Sequence, residues 1–160
     1  MRALENIKLV VSDFDGIFTD GKLTVYSDGN TSKIIDYKDI MAIAVIIKKD
    51  INFAILSGDT CAAIDIIKKH FPSIDIFQNQ RKKINILLSL AEQYNVKPHE
   101  IVYIGDDIND IECLKYVGNP ITVPNAHSSV KEIENIIITT QYGGNGAIRE
   151  IADSLLWKNF

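Results

Sequence analysis

The feature that most constrains this chain is an alternation of short apolar runs with stretches of helical spacing. Ile7–Asp13, Asn52–Ser57, Ile74–Phe77, Ile101–Gly105, Pro120–Val123 and Asn135–Thr139 have strand length. The first, second and fourth of these are apolar at their centres, as expected of strands buried on both faces. Between them, Asp39–Lys49, Thr60–His70, Lys82–Tyr94 and Asp110–Tyr116 read as helices. In Lys82–Tyr94 the stripe is Ile84, Leu87, Leu88 and Ala91. Ala147–Leu156 reads as a terminal helix with Ile148, Ile151, Ala152 and Leu155 on one face. The alternation predicts an α/β fold with a mostly parallel sheet and right-handed crossovers. Lys22–Ser27 and Thr31–Tyr37 flank Asp28-Gly29-Asn30, so residues 22–37 read as a hairpin. No linker or repeat interrupts the 160 residues. At roughly 150 residues per domain this predicts a single domain over 1–160.

Composition narrows the functional classes. Apolar residues make up 46% and charged residues 24%, an ordinary globular balance. The net charge of −4 argues against non-specific nucleic-acid binding. It leaves anionic substrates open, because a local cation can override the overall sign. No apolar run approaches the roughly 20 residues of a membrane span. The N-terminus lacks a basic-then-apolar signal pattern, so a cytoplasmic location is expected. Cys61 and Cys113 form no Cys-x-x-Cys and are expected to be reduced and part-buried. His70, His99 and His127 are too scattered for a ligand set, and Trp157 and Phe160 are expected to pack the terminal helix.

In parallel α/β sheets, ligands bind beyond the carboxyl ends of the strands. Three candidate strands end in reactive residues: Asp13-Phe14-Asp15-Gly16, Ser57-Gly58-Asp59, and Gly105-Asp106-Asp107 with Asp110 one turn later. Asp13 and Asp15 are two apart, so an extended backbone aims both to one side. Carboxylates aimed together repel unless a proton or a cation intervenes. Hard oxygen donors without a nearby histidine favour Mg²⁺ over Zn²⁺. Taken singly, each acid could be a helix cap or turn former, and Lys83 a solvated helix residue. Capping does not call for five acidic residues at the ends of two buried strands.

These residues resemble the motifs of the haloacid dehalogenase phosphohydrolases. Asp13-Phe14-Asp15-Gly16-Ile17-Phe18-Thr19-Asp20-Gly21 is similar to the first motif, followed in order by Ser57, Lys83 and Gly105-Asp106-Asp107 with Asp110. The hairpin and the late Gly143-Gly144-Asn145-Gly146-Ala147-Ile148-Arg149-Glu150 resemble the capless branch that contains the 3-deoxy-D-manno-octulosonate (KDO) 8-phosphate phosphatases. The resemblance implies a Rossmann-like three-layer sandwich with the hairpin in place of a cap domain. It implies Asp13 as nucleophile, forming an aspartyl-phosphate, and Asp15 as acid and then base. It implies Mg²⁺ on Asp13, the Asp15 carbonyl, Asp106 and Asp107, and phosphate binding by Ser57, Gly58 and Lys83. Thr19, Asp59, Asp110 and Arg149 are candidate substrate contacts.

The implied substrate is the phosphate monoester of an eight- or nine-carbon keto-deoxy sugar acid, as in surface-polysaccharide biosynthesis. Asp59 stands where the octulosonate branch carries Arg, and in this it resembles the nine-carbon acylneuraminate branch. The resemblance also implies a homotetramer built through the hairpin, each subunit helping to close a neighbour's site. Two readings compete: a non-catalytic tetramerisation module associated with acylneuraminate cytidylyltransferases, and a receiver-like phosphoacceptor. The intact Asp13, Asp15, Lys83 and Asp106 speak against the first, and Asp15 against the second.

Overall fold

A computed structural model describes residues 4–156. Trp157 and Phe160 lie outside the described residues. The chain runs β1 (Leu9–Ser12), β2 (Thr24–Val25), β3 (Thr31–Ser32), α1 (Tyr37–Ile47), β4 (Asn52–Leu56), α2 (Ala62–His70), β5 (Asp75–Phe77) and α3 (Lys83–Gln93). It continues through β6 (Ile101–Ile104), α4 (Ile111–Tyr116), β7 (Asn119–Thr122), α5 (Ser128–Lys131), β8 (Ile137–Ile138) and α6 (Ala147–Leu156). Six strands form one sheet in the order β5-β4-β1-β6-β7-β8. Every pairing in it is parallel, as the apolar runs predicted. Helices flank it in the Rossmann-like arrangement.

The order of strands creates the site. From β1 the chain moves outward through β4 to β5, then returns to the other side of β1 and moves outward again through β6, β7 and β8. Connections from β1 and β6 therefore leave in opposite directions. A crevice opens between the carboxyl ends of two such neighbours. β1 and β6 are wholly buried, so the residues just past them are held on a rigid floor.

The hairpin is shorter than the sequence implies. Only Thr24↔Ser32 and Val25↔Thr31 pair, around a turn closed by Asp28 accepting from the Asn30 amide. The flanking residues of 22–37 are mostly exposed and, among the described residues, find no third strand to pair with. α1 begins two residues before the predicted Asp39, because Asp36 caps it by accepting from the Lys38 amide. Cys61 and Cys113 are free, half-buried and buried respectively. Among the described residues, no helix is long and apolar enough to cross a membrane.

Asp39, in the first turn of α1, is fully buried and accepts from the Gly146 and Arg149 amides at 3.1 and 3.0 Å. It thus caps α6 and ties α1 to the glycine-rich segment. Burial pushes its carboxyl up to about 6, despite those two amide bonds. A folded value above the ordinary 3.8 means that its stabilisation is complete below about pH 4 and lost as pH rises through 6. The gap corresponds to about 3 kcal/mol. Asp39→Asn cannot ionise, so the stability of wild type relative to this variant is expected to fall by about that amount between pH 4 and 7. Urea unfolding of both proteins across that range checks it; a constant difference refutes the buried-carboxylate account.

Candidate active site

The turn after β1 is pinned by aromatic packing. Phe14 and Phe18 are fully buried, their rings stacked 5.6 Å apart, and Phe18 meets Phe53 of β4 edge-on at 6.3 Å. Burial of each ring contributes about 2–3 kcal/mol. Asp13 and Asp15 flank Phe14 and both line the crevice, although Asp15 lies in the turn rather than on the extended backbone that the sequence suggests. Gly16 has φ +79°, and a side chain there would collide with the Asp106 carboxylate. Gly143 packs against the Gly16 carbonyl so closely that a Cβ would overlap it. The Gly144 amide donates to the Ile17 carbonyl at 2.8 Å. The late glycine segment is therefore the backbone brace of the first turn.

Asp13 is 5% exposed. Its Oδ1 accepts from the Phe14 amide at 2.6 Å and pairs with Lys83 Nζ at 2.7 Å. Its Oδ2 takes no hydrogen bond among the described residues, and Asp13 lines the crevice. Burial, reinforced by Asp110, holds the Asp13 carboxyl well above the usual carboxylate range, against the pull of Lys83. Asp106 follows β6 and is pushed up to about 7 by burial and by Asp110 and Asp107. One oxygen each from Asp13, Asp106 and Asp110 lie within 4.8 Å of one another. Crowded, reluctantly ionised hard-oxygen donors fit a small divalent cation, which would favour their charged forms.

Asp110 belongs to that cluster but is already committed. Oδ1 accepts from Lys83 Nζ at 2.8 Å and Tyr103 Oη at 2.7 Å; Oδ2 accepts from the Asp106 and Asp107 amides at 3.1 and 3.3 Å. With no exposure at all, it sits beneath the crevice floor. This corrects its reading as a substrate contact. Its partners leave Asp13 and Asp106 as the cluster carboxylates available to a cation.

The remaining predicted residues divide in two. Asp15, Gly58, Asp59 and Asp107 line the same crevice as Asp13 and Asp106, together with Gly16, Gly21 and Asn109, around a cavity of about 400 Å³. The Asp107 carboxylate caps a single 3-10 turn, Ile108–Asp110, by accepting from the Ile108 amide at 2.7 Å. Ser57, Lys83, Thr19 and Arg149 face protein partners instead. Ser57 Oγ exchanges hydrogen bonds with the Asp59 backbone and is 1% exposed. Lys83 is buried between Asp13 and Asp110, and although burial works against its charge, those two acids hold the ammonium above its ordinary value. Thr19 is buried and accepts from the Gly16 and Gly21 amides, bracing the turn. Arg149 is not brought to the crevice of its own chain: its Nε donates to Asp153 at 2.8 Å, and it lines a separate depression with Lys38 and Asn145.

Sequence reasoning missed Tyr103, Asn109 and Lys33. Tyr103 looks like any core strand residue, and Asn109 like any turn residue. Lys33 sits at the foot of the hairpin, where nothing in the local pattern signals its contact with Asp15.

A family model for haloacid dehalogenase-like hydrolases matches residues 30–151, a span that holds Ser57, Lys83, Asp106 and Asp110. The chain belongs to the haloacid dehalogenase-like hydrolases. Among curated relatives of this hydrolase, the KDO 8-phosphate phosphatase of Haemophilus influenzae is 32% identical over 156 residues, covering 96% of this chain and 84% of that protein. The counterpart from Escherichia coli BL21-DE3 is 30% identical over 163 residues, covering 98% and 82%. Among solved structures, the KDO 8-phosphate phosphatase of Moraxella catarrhalis superimposes with a TM-score of 0.88 at 31% identity, over 96% of this chain and 87% of that one. That crystal contains magnesium, phosphate and KDO. A cobalt-bound H. influenzae enzyme matches at 0.87, with 31% identity and coverage of 96% and 89%.

Proposed function

We propose that this hydrolase removes phosphate from an eight-carbon keto-deoxy sugar acid of the KDO 8-phosphate type, with Mg²⁺, through an aspartyl-phosphate. It is a phosphoric monoester hydrolase, in keeping with its family and its relatives. The observation that carries the finer reading is the meeting of Asp13 and Asp106 across the β1–β6 switch point, with the hydrogen-bond partners of the Asp13 carboxylate among the described residues all on Oδ1.

In this reading Oδ2 attacks phosphorus while Oδ1 stays anchored by Lys83 and the Phe14 amide. The alkoxide of the sugar leaves with a proton from Asp15. Asp15 then takes a proton from the water that hydrolyses the anhydride. Asp13, the Asp15 carbonyl and Asp106, with Asp107 beside them, would hold Mg²⁺. Bound there, the cation supplies positive charge to the phosphoryl oxygens. Lys83 keeps the acidic floor charged without leaving it, and so acts on phosphate through Asp13. Gly58 lets the phosphate approach the backbone at the crevice wall.

A nine-carbon acylneuraminate-type substrate is the second reading, favoured by Asp59. Its side chain is 76% exposed at the crevice mouth, where it can accept from sugar hydroxyls and would repel a substrate carboxylate. Assembly is proposed too. Leu23, Val25, Tyr26, Ile34, Tyr37 and Met41 expose apolar surface along the hairpin and the start of α1, with Ile34 79% exposed. Burying that edge in a homotetramer would protect it from aggregation.

A panel of eight- and nine-carbon keto-acid phosphates tests the reading. The eight-carbon 8-phosphate is expected to lead in kcat/KM by about tenfold, roughly what 1.4 kcal/mol of discrimination supplies. Turnover is expected to vanish in EDTA and return with Mg²⁺. A nine-carbon preference selects the second reading. Phosphate release from none of the compounds leaves the non-catalytic module. Light scattering on the same sample should give four times the chain mass; a fully active monomer defeats the tetramer.

A further inference from the structure

The hairpin touches Asp15, a residue that lines the crevice. Lys33 follows β3 directly, and its ammonium bridges both oxygens of Asp15, at 2.7 Å from Oδ1 and 2.8 Å from Oδ2. The lysine side chain is only 14% exposed. A wholly solvent-exposed ion pair would carry little meaning. This one is shielded on the lysine side, with the Asp15 side chain 36% exposed, and it joins segments eighteen residues apart. Among the described residues, the other side-chain partner of Asp15 is Thr19, whose hydroxyl lies at a long 3.4 Å and already accepts from the Gly16 and Gly21 amides. Asp15 follows a strand end, on a turn rather than in the sheet, so its backbone does not fix where the carboxylate points. Asp59, at 4.0 Å, is the next acid near Lys33, and it lines both the crevice and a second cavity of about 360 Å³, the one that Lys33 lines.

We infer that Lys33 is a positioning residue for Asp15: the hairpin brings it against Asp15 to fix the direction in which that carboxyl meets the leaving oxygen. The inference rests on the reading of Asp15 as general acid. Misplacing a catalytic group by about 1 Å costs on the order of 100-fold. The cost falls only on substrates whose leaving group needs a proton. A sugar alkoxide needs one; p-nitrophenolate leaves without much help. The quantity to compare is kcat/KM, because it ends at the first irreversible step, phosphoryl transfer to Asp13.

The test uses the whole chain with Mg²⁺, KDO 8-phosphate and p-nitrophenyl phosphate. Lys33→Met should lower kcat/KM roughly 10–100-fold on the sugar phosphate and under about threefold on the aryl phosphate. The Mg²⁺ concentration for half-activation should not move. Lys33→Arg should recover part of the loss, and serves in place of the Met variant if that one fails to fold. Equal losses on both substrates, or no loss on either, overturn the inference. Asp15→Asn is measured alongside. If it leaves sugar-phosphate turnover near wild type, the general-acid reading itself has failed. If it is inactive while Lys33→Met is normal, only the role of Lys33 is lost.

Discussion

Asp13→Asn is expected to abolish turnover and at the same time to leave the protein as stable as wild type, or more so. The first half follows from chemistry. An amide has no lone pair fit to attack phosphorus, and removal of a nucleophile from an assembled site costs at least about 10⁴-fold in kcat. The second half follows from the charges beneath the crevice. Asp13, Lys83 and Asp110 are buried together with two acids to one base. The surplus negative charge has left the Asp13 carboxyl well above its ordinary range, burial being the largest cause. A raised value means that the folded state favours the proton, so stability is lost as pH rises and wild type carries that cost at neutral pH. Asn removes the surplus charge and keeps an oxygen for the Phe14 amide and Lys83. Phosphate release and thermal melting in EDTA at pH 7.5 check both halves. Activity within about tenfold of wild type would remove Asp13 as nucleophile. A melting point well below wild type would show that the charge is not a burden.

The same cluster explains which parts of this molecule could be read in advance. Val10, Val11, Ile55, Val102 and Ile104 announce central strands because a strand buried on both faces needs an unbroken apolar run, and that requirement is local. The strand-end rule then points to Asp13 and Asp106 with no knowledge of side-chain contacts, since strand neighbours bring their ends together. Orientation was harder to read. Asp106, Asp107 and Asp110 look alike in sequence, but a single 3-10 turn sends Asp110 inward, to Lys83 and Tyr103, and leaves Asp107 outside as a cap. For Arg149, a candidate substrate contact by resemblance, the glycine-rich run before it does not say where the side chain points. Asp39 holds that segment by its amides, a contact more than a hundred residues apart that no local pattern contains. Lys33 was missed for the same reason: its partner depends on how a two-pair hairpin folds back over the β1 turn.

Lys83→Met should show that this lysine is first a structural counter-ion. Two accounts of Lys83 make opposite predictions for stability. If it chiefly met phosphate from the solvent side, its removal would leave the free protein within about 0.5 kcal/mol of wild type, as surface substitutions do. The geometry instead has Nζ 2.7 Å from Asp13 and 2.8 Å from Asp110, with its side chain fully buried. Met fills the space of the stem but leaves two buried carboxylates facing each other without a cation. Breaking a buried pair in this way costs about 3–5 kcal/mol, and here it should lower the melting temperature by on the order of 10 °C. The loss should be larger at pH 8 than at pH 5.5, because the stranded acids can relieve their repulsion only by taking up a proton. Adding Asp13→Asn to Lys83→Met should then restore part of the stability, since one of the two unpaired charges is gone, while activity stays absent. That non-additivity is what a shared network predicts and independent sites do not. If the double variant melts lower than Lys83→Met, the buried Asp13–Lys83–Asp110 arrangement is not what holds the floor of the crevice together.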